Sequence, residues 1–210
     1  MFFRNRWYEY INSSIEHLKS TQLTIKYIFS DEPPDILLTY VKRILNITQI
    51  YHLDIRQQIS IERLMQIIHL LPDLITLKMT SLSFYRSIIL CGQVFPTTCS
   101  IEHARKIKNV YMEKTKNIEE IYFLIALCPH MEYLNVECIK DMNVELFVRY
   151  ILNKINNNHH KHLRLLCIYD TKADDEMIKR LNKMIDDEKL LLNLNYTIHR
   201  ELYNISLQWK

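Results

Sequence analysis

Three stretches of the chain concentrate side chains that do chemistry. Residues 127–141, LCPHMEYLNVECIKD, hold Cys128 and Cys138 at either end of an alternating run, and thiols act as nucleophiles or as metal ligands. Residues 156–162, NNNHHKH, hold His159, His160 and His162, imidazoles able to ligate a transition metal. Residues 170–176, DTKADDE, gather four carboxylates, the donor type that calcium takes.

Spacing argues against each. A reactive cysteine needs a base beside it, and a zinc site needs further Cys or His at helical or hairpin spacing. No Cys or His pair at that spacing stands close to the histidine run. A calcium loop alternates its ligands about a central glycine, which 170–176 does not. Its acids suit a first helical turn, where they offset the helix dipole, with Thr171 as the cap. The histidine run reads as a polar loop between a helix and a strand. A metal-dependent enzyme at His159–His162 is the remote alternative, and it would have to keep zinc or manganese through chelator treatment. No Ser-His-Asp or Cys-His arrangement stands out. The expectation is a non-enzyme without metal or cofactor, in which Cys128 and Cys138 are small apolar core residues.

Composition excludes further classes. The 210 residues include one glycine, Gly92, where average usage of about 7% would give about fifteen. Phosphate-cradling and dinucleotide-binding loops need glycines at set offsets, so neither can be built. The net charge is +3, with basic residues scattered among nearly as many acids, unlike a nucleic-acid-binding footprint. Arg4, Arg6 and Glu9 interrupt any apolar signal core, and no apolar run is long enough to span a membrane. Five cysteines without paired spacing suit reduced thiols in the cytoplasm or nucleus.

What remains is a repeat. YHLDIR (51–56), ITLKMT (75–80), KNVYME (108–113) and EYLNVE (132–137) alternate apolar and polar residues, as strands do. Leu53, Leu77, Val110, Leu134 and Leu166 fall at equivalent places, 24, 33, 24 and 32 residues apart. Between them the period becomes helical. Ile61, Leu64, Met65, Ile68 and Leu71 share a face, and Ile118, Ile121, Tyr122, Ile125 and Cys128 repeat it 57 residues later. Ser60 and Asn117 are the expected N-caps, Asn117 with Glu120 as a capping box, and Pro72 and Pro129 end the helices. Further helices follow along Val144–Ile155 and Met177–Ile185, and a first strand along 22–27. The segment 194–210 reads as a capping hairpin around a four- or five-residue link. Residues 20–193 then form the repeat domain and 1–19 a cap or remnant, while Pro96 disrupts any single helix over 83–106.

The stretch C-P-H-M-E-Y-L-N-V-E-C-I-K-D resembles the cysteine-containing subtype of leucine-rich repeat, with Cys128, Pro129, Met131, Leu134, Val136, Cys138 and Asp141 at the matching places. LLPDLITLKMTSLS (70–83) matches more loosely. That subtype is typical of F-box/leucine-rich-repeat proteins, the substrate receptors of cullin-RING ubiquitin ligases. The resemblance implies an α/β solenoid with a parallel sheet on its concave side and helices on its convex side. It also implies recognition of a protein destined for ubiquitination. An F-box is not recognised, since DEPPDILLTYVKRIL (31–45) falls in register with the repeat helices, so contact with the ligase adaptor would need a cryptic F-box.

With the five apolar positions turned inward, alternation turns a second set outward. Arg56, Lys78, Tyr111, Glu113, Tyr133, Glu137, Leu165 and Tyr169 form the candidate partner-binding face. Tyr111 and Tyr133 stand on neighbouring strands, with Arg56 and Lys78 expected on one side of them and Glu113 and Glu137 on the other. Aromatic anchors ringed by charge are the usual material of protein-binding hot spots. The alternative is a structural adaptor that uses a sheet edge or the outer helices and has no ligase link.

Overall fold

Strand-to-strand equivalence along the sequence becomes lateral pairing in space. The computed structural model describes residues 22–26, 41, 49–83, 102–137, 143–158, 162–191 and 194–210. The strands are β1 (Gln22–Ile25), β2 (His52–Ser60), β3 (Thr76–Ser83), β4 (Asn109–Met112), β5 (Tyr133–Val136), β6 (Leu165–Tyr169), β7 (Tyr196–Glu201) and β8 (Asn204–Trp209). Four α-helices lie among the described residues: α1 (Ile61–Leu70), α2 (Ile118–Leu127), α3 (Val144–Asn158) and α4 (Asp175–Asp187). A short 3-10 helix occupies Glu102–Lys106. The fold class is α/β, with one eight-stranded sheet in the order β1-β2-β3-β4-β5-β6-β8-β7. Pairing is parallel from β1 to β6 and antiparallel at β8 and β7.

The register sets Leu23, Leu53, Leu77, Val110, Leu134, Leu166 and Leu207 in one lateral row. Ile25, Ile55, Met79, Met112, Val136, Ile168 and Ile205 form the next. From β2 to β6 these side chains are fully buried and join one core with the helices. Burial of each contributes about 1.5–3 kcal/mol.

The turns repeat as regularly as the strands. Tyr51 O accepts from the amides of Ile75 and Thr76, Ile75 O from Lys108 and Asn109, Lys108 O from Glu132 and Tyr133, and Glu132 O from Arg164 and Leu165. Just before them, the carbonyls of Leu71, Ala104 and Cys128 each accept from the amide three residues on, at Leu74, Ile107 and Met131. All six of these side chains are buried. Cys128 therefore fills a place that leucine and alanine fill elsewhere. Burial pushes its thiol up to about 12, so it is neither a nucleophile nor a ready ligand. Cys138 lies outside the described residues.

Several expected details are corrected. The buried face of α1 is Ile61, Leu64, Ile67 and Ile68 with Leu71 as its C-cap, and that of α2 includes Ile121, Phe123, Leu124 and Ile125 with Cys128 as its C-cap. Met65 and Tyr122 sit at their margins, half-buried. Ser60 and Asn117 do cap, accepting from the amides of Arg63 and Glu120. Glu120, however, accepts from the amide of Lys116, one residue before the cap, at 3.3 Å. The cap of α4 is Asp174, which accepts from Met177 at 2.7 Å, and not Thr171. A preceding turn, in which Ala173 donates to Asp170 O, delays the start of that helix. The last helix closes at Lys189 with φ 52°, where Leu190 donates to Ile185 O and Lys189 to Asp186 O, a glycine-type cap formed without glycine.

β2 and β3 run past the expected ends, to Ser60 and Ser83, because the ladder resumes after an irregularity. Arg56 and Gln57 on β2 stand there against Thr80 alone on β3. The C-terminal hairpin turns on two residues, Leu202 and Tyr203, rather than four or five. Its second strand inserts beside β6, with Ile205, Leu207 and Trp209 buried. No described helix is long and apolar enough to cross a membrane.

Candidate functional site

The sheet face turned away from the helices presents its residues in lateral rows. One runs His52, Thr76, Asn109, Tyr133, Leu165 and Gln208. The next runs Asp54, Lys78, Tyr111, Asn135, Cys167 and Ser206. Glu113 and Glu137 follow at the strand ends, their amides donating to Met79 O and Met112 O. Tyr169 closes β6 and pairs with Asn204. The register thus sets Lys78, Tyr111, Tyr133, Leu165 and Tyr169 on one face, with Glu113 and Glu137 just past the ends of β4 and β5 and Arg56 in the break of register on β2.

Tyr111 and Tyr133 lie at its centre, both half-buried, with ring centroids 5.1 Å apart and planes tilted by 48°. They meet diagonally, since Tyr111 opposes Asn135 and Tyr133 opposes Asn109. Asn135 Nδ2 donates to the Tyr133 hydroxyl at 3.1 Å. Burial, reinforced by Cys167 beside it, pushes that phenol up to about 12, so it stays neutral and able to donate. Leu165, half-buried, lies alongside Tyr133, and Cys167 Sγ stands 3.5 Å from Ser206 Oγ on the hairpin.

The charges are not divided across the tyrosines as expected. Lys78 Nζ reaches Glu113 at 3.2 Å, and Thr80 Oγ1 donates to the same carboxylate at 3.0 Å. The lysine ammonium is held above its usual range by that hydrogen bond first, with Asp54 and Glu137 adding to it. The reason is geometric: Lys78 is the lateral neighbour of Tyr111, and its long stem reaches past the ring to the end of β4. Arg56 turns back along its own strand, and its Nε donates to Asp54 Oδ2 at 2.9 Å. Asp54 is only 6% exposed, and its Oδ1 has no hydrogen-bond partner. Glu137 is exposed. The face therefore offers two tyrosine rings, the Lys78–Glu113 and Arg56–Asp54 ion pairs and an outlying carboxylate.

Sequence alternation missed Asp54's burial, Asn135's hold on Tyr133 and Ser206's arrival from the hairpin. The first depends on packing, the second on the rotamers of two side chains of β5, and the third on strand pairing, none of which alternation encodes.

Of the histidine run, His159 and His160 lie outside the described residues. His162 is exposed, its ring 4.7 Å from that of His130. Among the described residues no group of three His, Cys, Asp or Glu is placed to hold a metal. Asp170, Asp174 and Asp175 each satisfy local partners: Lys172 N, Met177 N and the guanidinium of Arg200.

No protein-family model matches the chain, and no curated protein matches it significantly.

Proposed function

We propose that this chain is a leucine-rich-repeat solenoid of the cysteine-containing subtype whose concave sheet face recognises another protein without catalysing a reaction. The repeat reading is supported by the two-amide turn that recurs four times and by the equivalence of Leu71, Ala104 and Cys128. The observation that carries the functional reading is the Tyr111–Tyr133 pair, half-buried and bordered by the Lys78–Glu113 ion pair. Rings held in place before binding lose little entropy on contact, and an orientated charge pair adds selectivity more than affinity. By its resemblance to F-box/leucine-rich-repeat receptors, the partner is a target for ubiquitination, met in the cytoplasm or nucleus.

The test is affinity capture of the intact chain from a native lysate, run beside Tyr111→Ala/Tyr133→Ala and probed for the F-box-binding adaptor of cullin ligases. A protein lost from the double variant, with the adaptor present in the wild-type eluate, is the expected result. The same loss without the adaptor would leave a recognition module separate from any ligase. Partners retained by the double variant would move the binding site to an edge or the outer helices, as in a structural adaptor.

A further inference from the structure

The hairpin between β7 and β8 turns on a leucine in a conformation that leucine resists. Leu202 has φ 53°, in the left-handed region, where the side chain crowds the backbone. Glycine, asparagine or aspartate fills such turns at lower cost. Leu202 is also 75% exposed, so its side chain returns little burial to the fold. Tyr203 and Tyr169 are 48% and 37% exposed, and their rings meet edge-on at 6.0 Å. The tip is thus an apolar knob.

It is also held firmly. Arg200 donates from Nη1 to Leu202 O at 3.0 Å, while its Nε and Nη2 donate to Asp175 Oδ1 at 3.0 and 2.6 Å. The amide of Asp170 donates to Tyr203 O at 2.9 Å. Those bonds tie the turn to the end of β6 and the start of α4, so the leucine is presented on a fixed backbone.

We infer that Leu202, with Tyr203 and Tyr169, is an anchor that inserts into an apolar pocket rimmed by Lys and Arg on a partner protein. Strain carried by a side chain that buries almost nothing contributes nothing to folding, and it fits a pre-organised contact. Charge sets the partner's rim. Segments 170–176 and 200–203 carry five carboxylates, of which Asp175 pairs with Arg200 and Glu176 with Lys179, leaving Asp170, Asp174 and Glu201 against Lys172, although the whole chain is net positive. An acidic collar favours a basic rim and is repelled by an anionic membrane surface. This anchor shares Tyr169 with the sheet face but does not depend on the Tyr111–Tyr133 pair.

The test places a photo-crosslinking apolar side chain at position 202 of the full chain in a native lysate and maps the attachment point by mass spectrometry. Leu202→Gly is made in parallel, with thermal unfolding and capture both measured. The expected result is a cross-link into a pocket of apolar residues bordered by Lys or Arg. Leu202→Gly should bind that protein at least about tenfold more weakly, as at a hot spot, while unfolding at a higher temperature than wild type. A cross-link to a second copy, to lipid or to nothing overturns the inference, as does undiminished capture by Leu202→Gly. If Tyr111→Ala/Tyr133→Ala loses its partner while position 202 yields no such cross-link, the sheet-face reading stands and the anchor falls. The converse result separates them the other way.

Discussion

Tyr111 and Tyr133 touch across the diagonal of two parallel strands, 5.1 Å between ring centroids, on the face opposite the buried Val110 and Leu134. Their contact follows from alternation on each strand and from a register in which each ring opposes an asparagine.

A double-mutant cycle on these rings should give a coupling of about 0.5–1.5 kcal/mol, the range for a tilted aromatic pair. Replacing both by alanine should lower the melting temperature only slightly. Chemical denaturation of the four proteins of the cycle measures the coupling, and thermal unfolding measures the melting temperatures. A loss on the scale of a core truncation would place the rings inside and shift the register by one residue.

Leu134→Asp tests the opposite face. Leu134 is 0% exposed and lies laterally between Val110 and Leu166 in the buried row. A carboxylate there is buried without a partner, a change that costs more than about 4 kcal/mol and so removes much or all of the about 5–15 kcal/mol that holds a domain folded. Circular dichroism should show an unfolded chain at ambient temperature.

Both predictions rest on features legible in the sequence. Period-two alternation identified the rows through Leu53, Leu77, Val110, Leu134 and Leu166, because side-chain direction in a strand is a local property. Ser60 and Asn117 were legible as caps for the same reason, since each side chain bonds an amide three residues away. The Lys78–Glu113 pair was not, because a long side chain chooses among neighbours on other strands that only the register supplies. Nor was the change of parity in β3, where Met79 and then Leu82 are buried after an unequal count of residues on β2 and β3.

Cys128 offers a chemical check on the scaffold role. With its thiol buried and pushed up to about 12, almost no thiolate exists at pH 8. A thiol reagent applied to the native protein should leave Cys128 unlabelled, and denaturant should expose it. Peptide mapping distinguishes the sites. Rapid native labelling at Cys128 would show that the end of α2 opens.

Glu120 makes stability depend on pH. It is 2% exposed in the first turn of α2, and burial pushes its carboxyl up from 4.5 to about 7, against the opposing hydrogen bond from Lys116 N. The native state therefore holds a proton between pH 4.5 and about 7 that the unfolded chain has released. Stability from this group is complete below pH 4.5, falls through that window and levels off above about pH 7. The limiting slope is about 1.4 kcal/mol per pH unit for one proton. Glu120→Gln keeps an oxygen to accept from Lys116 and removes the titration. Its stability should match wild type near pH 4, exceed it near pH 8, and lose the slope between them. Denaturant unfolding of both proteins from pH 4 to 8 measures this. Parallel curves across the window would mean that the Glu120 carboxyl reaches water in the native state.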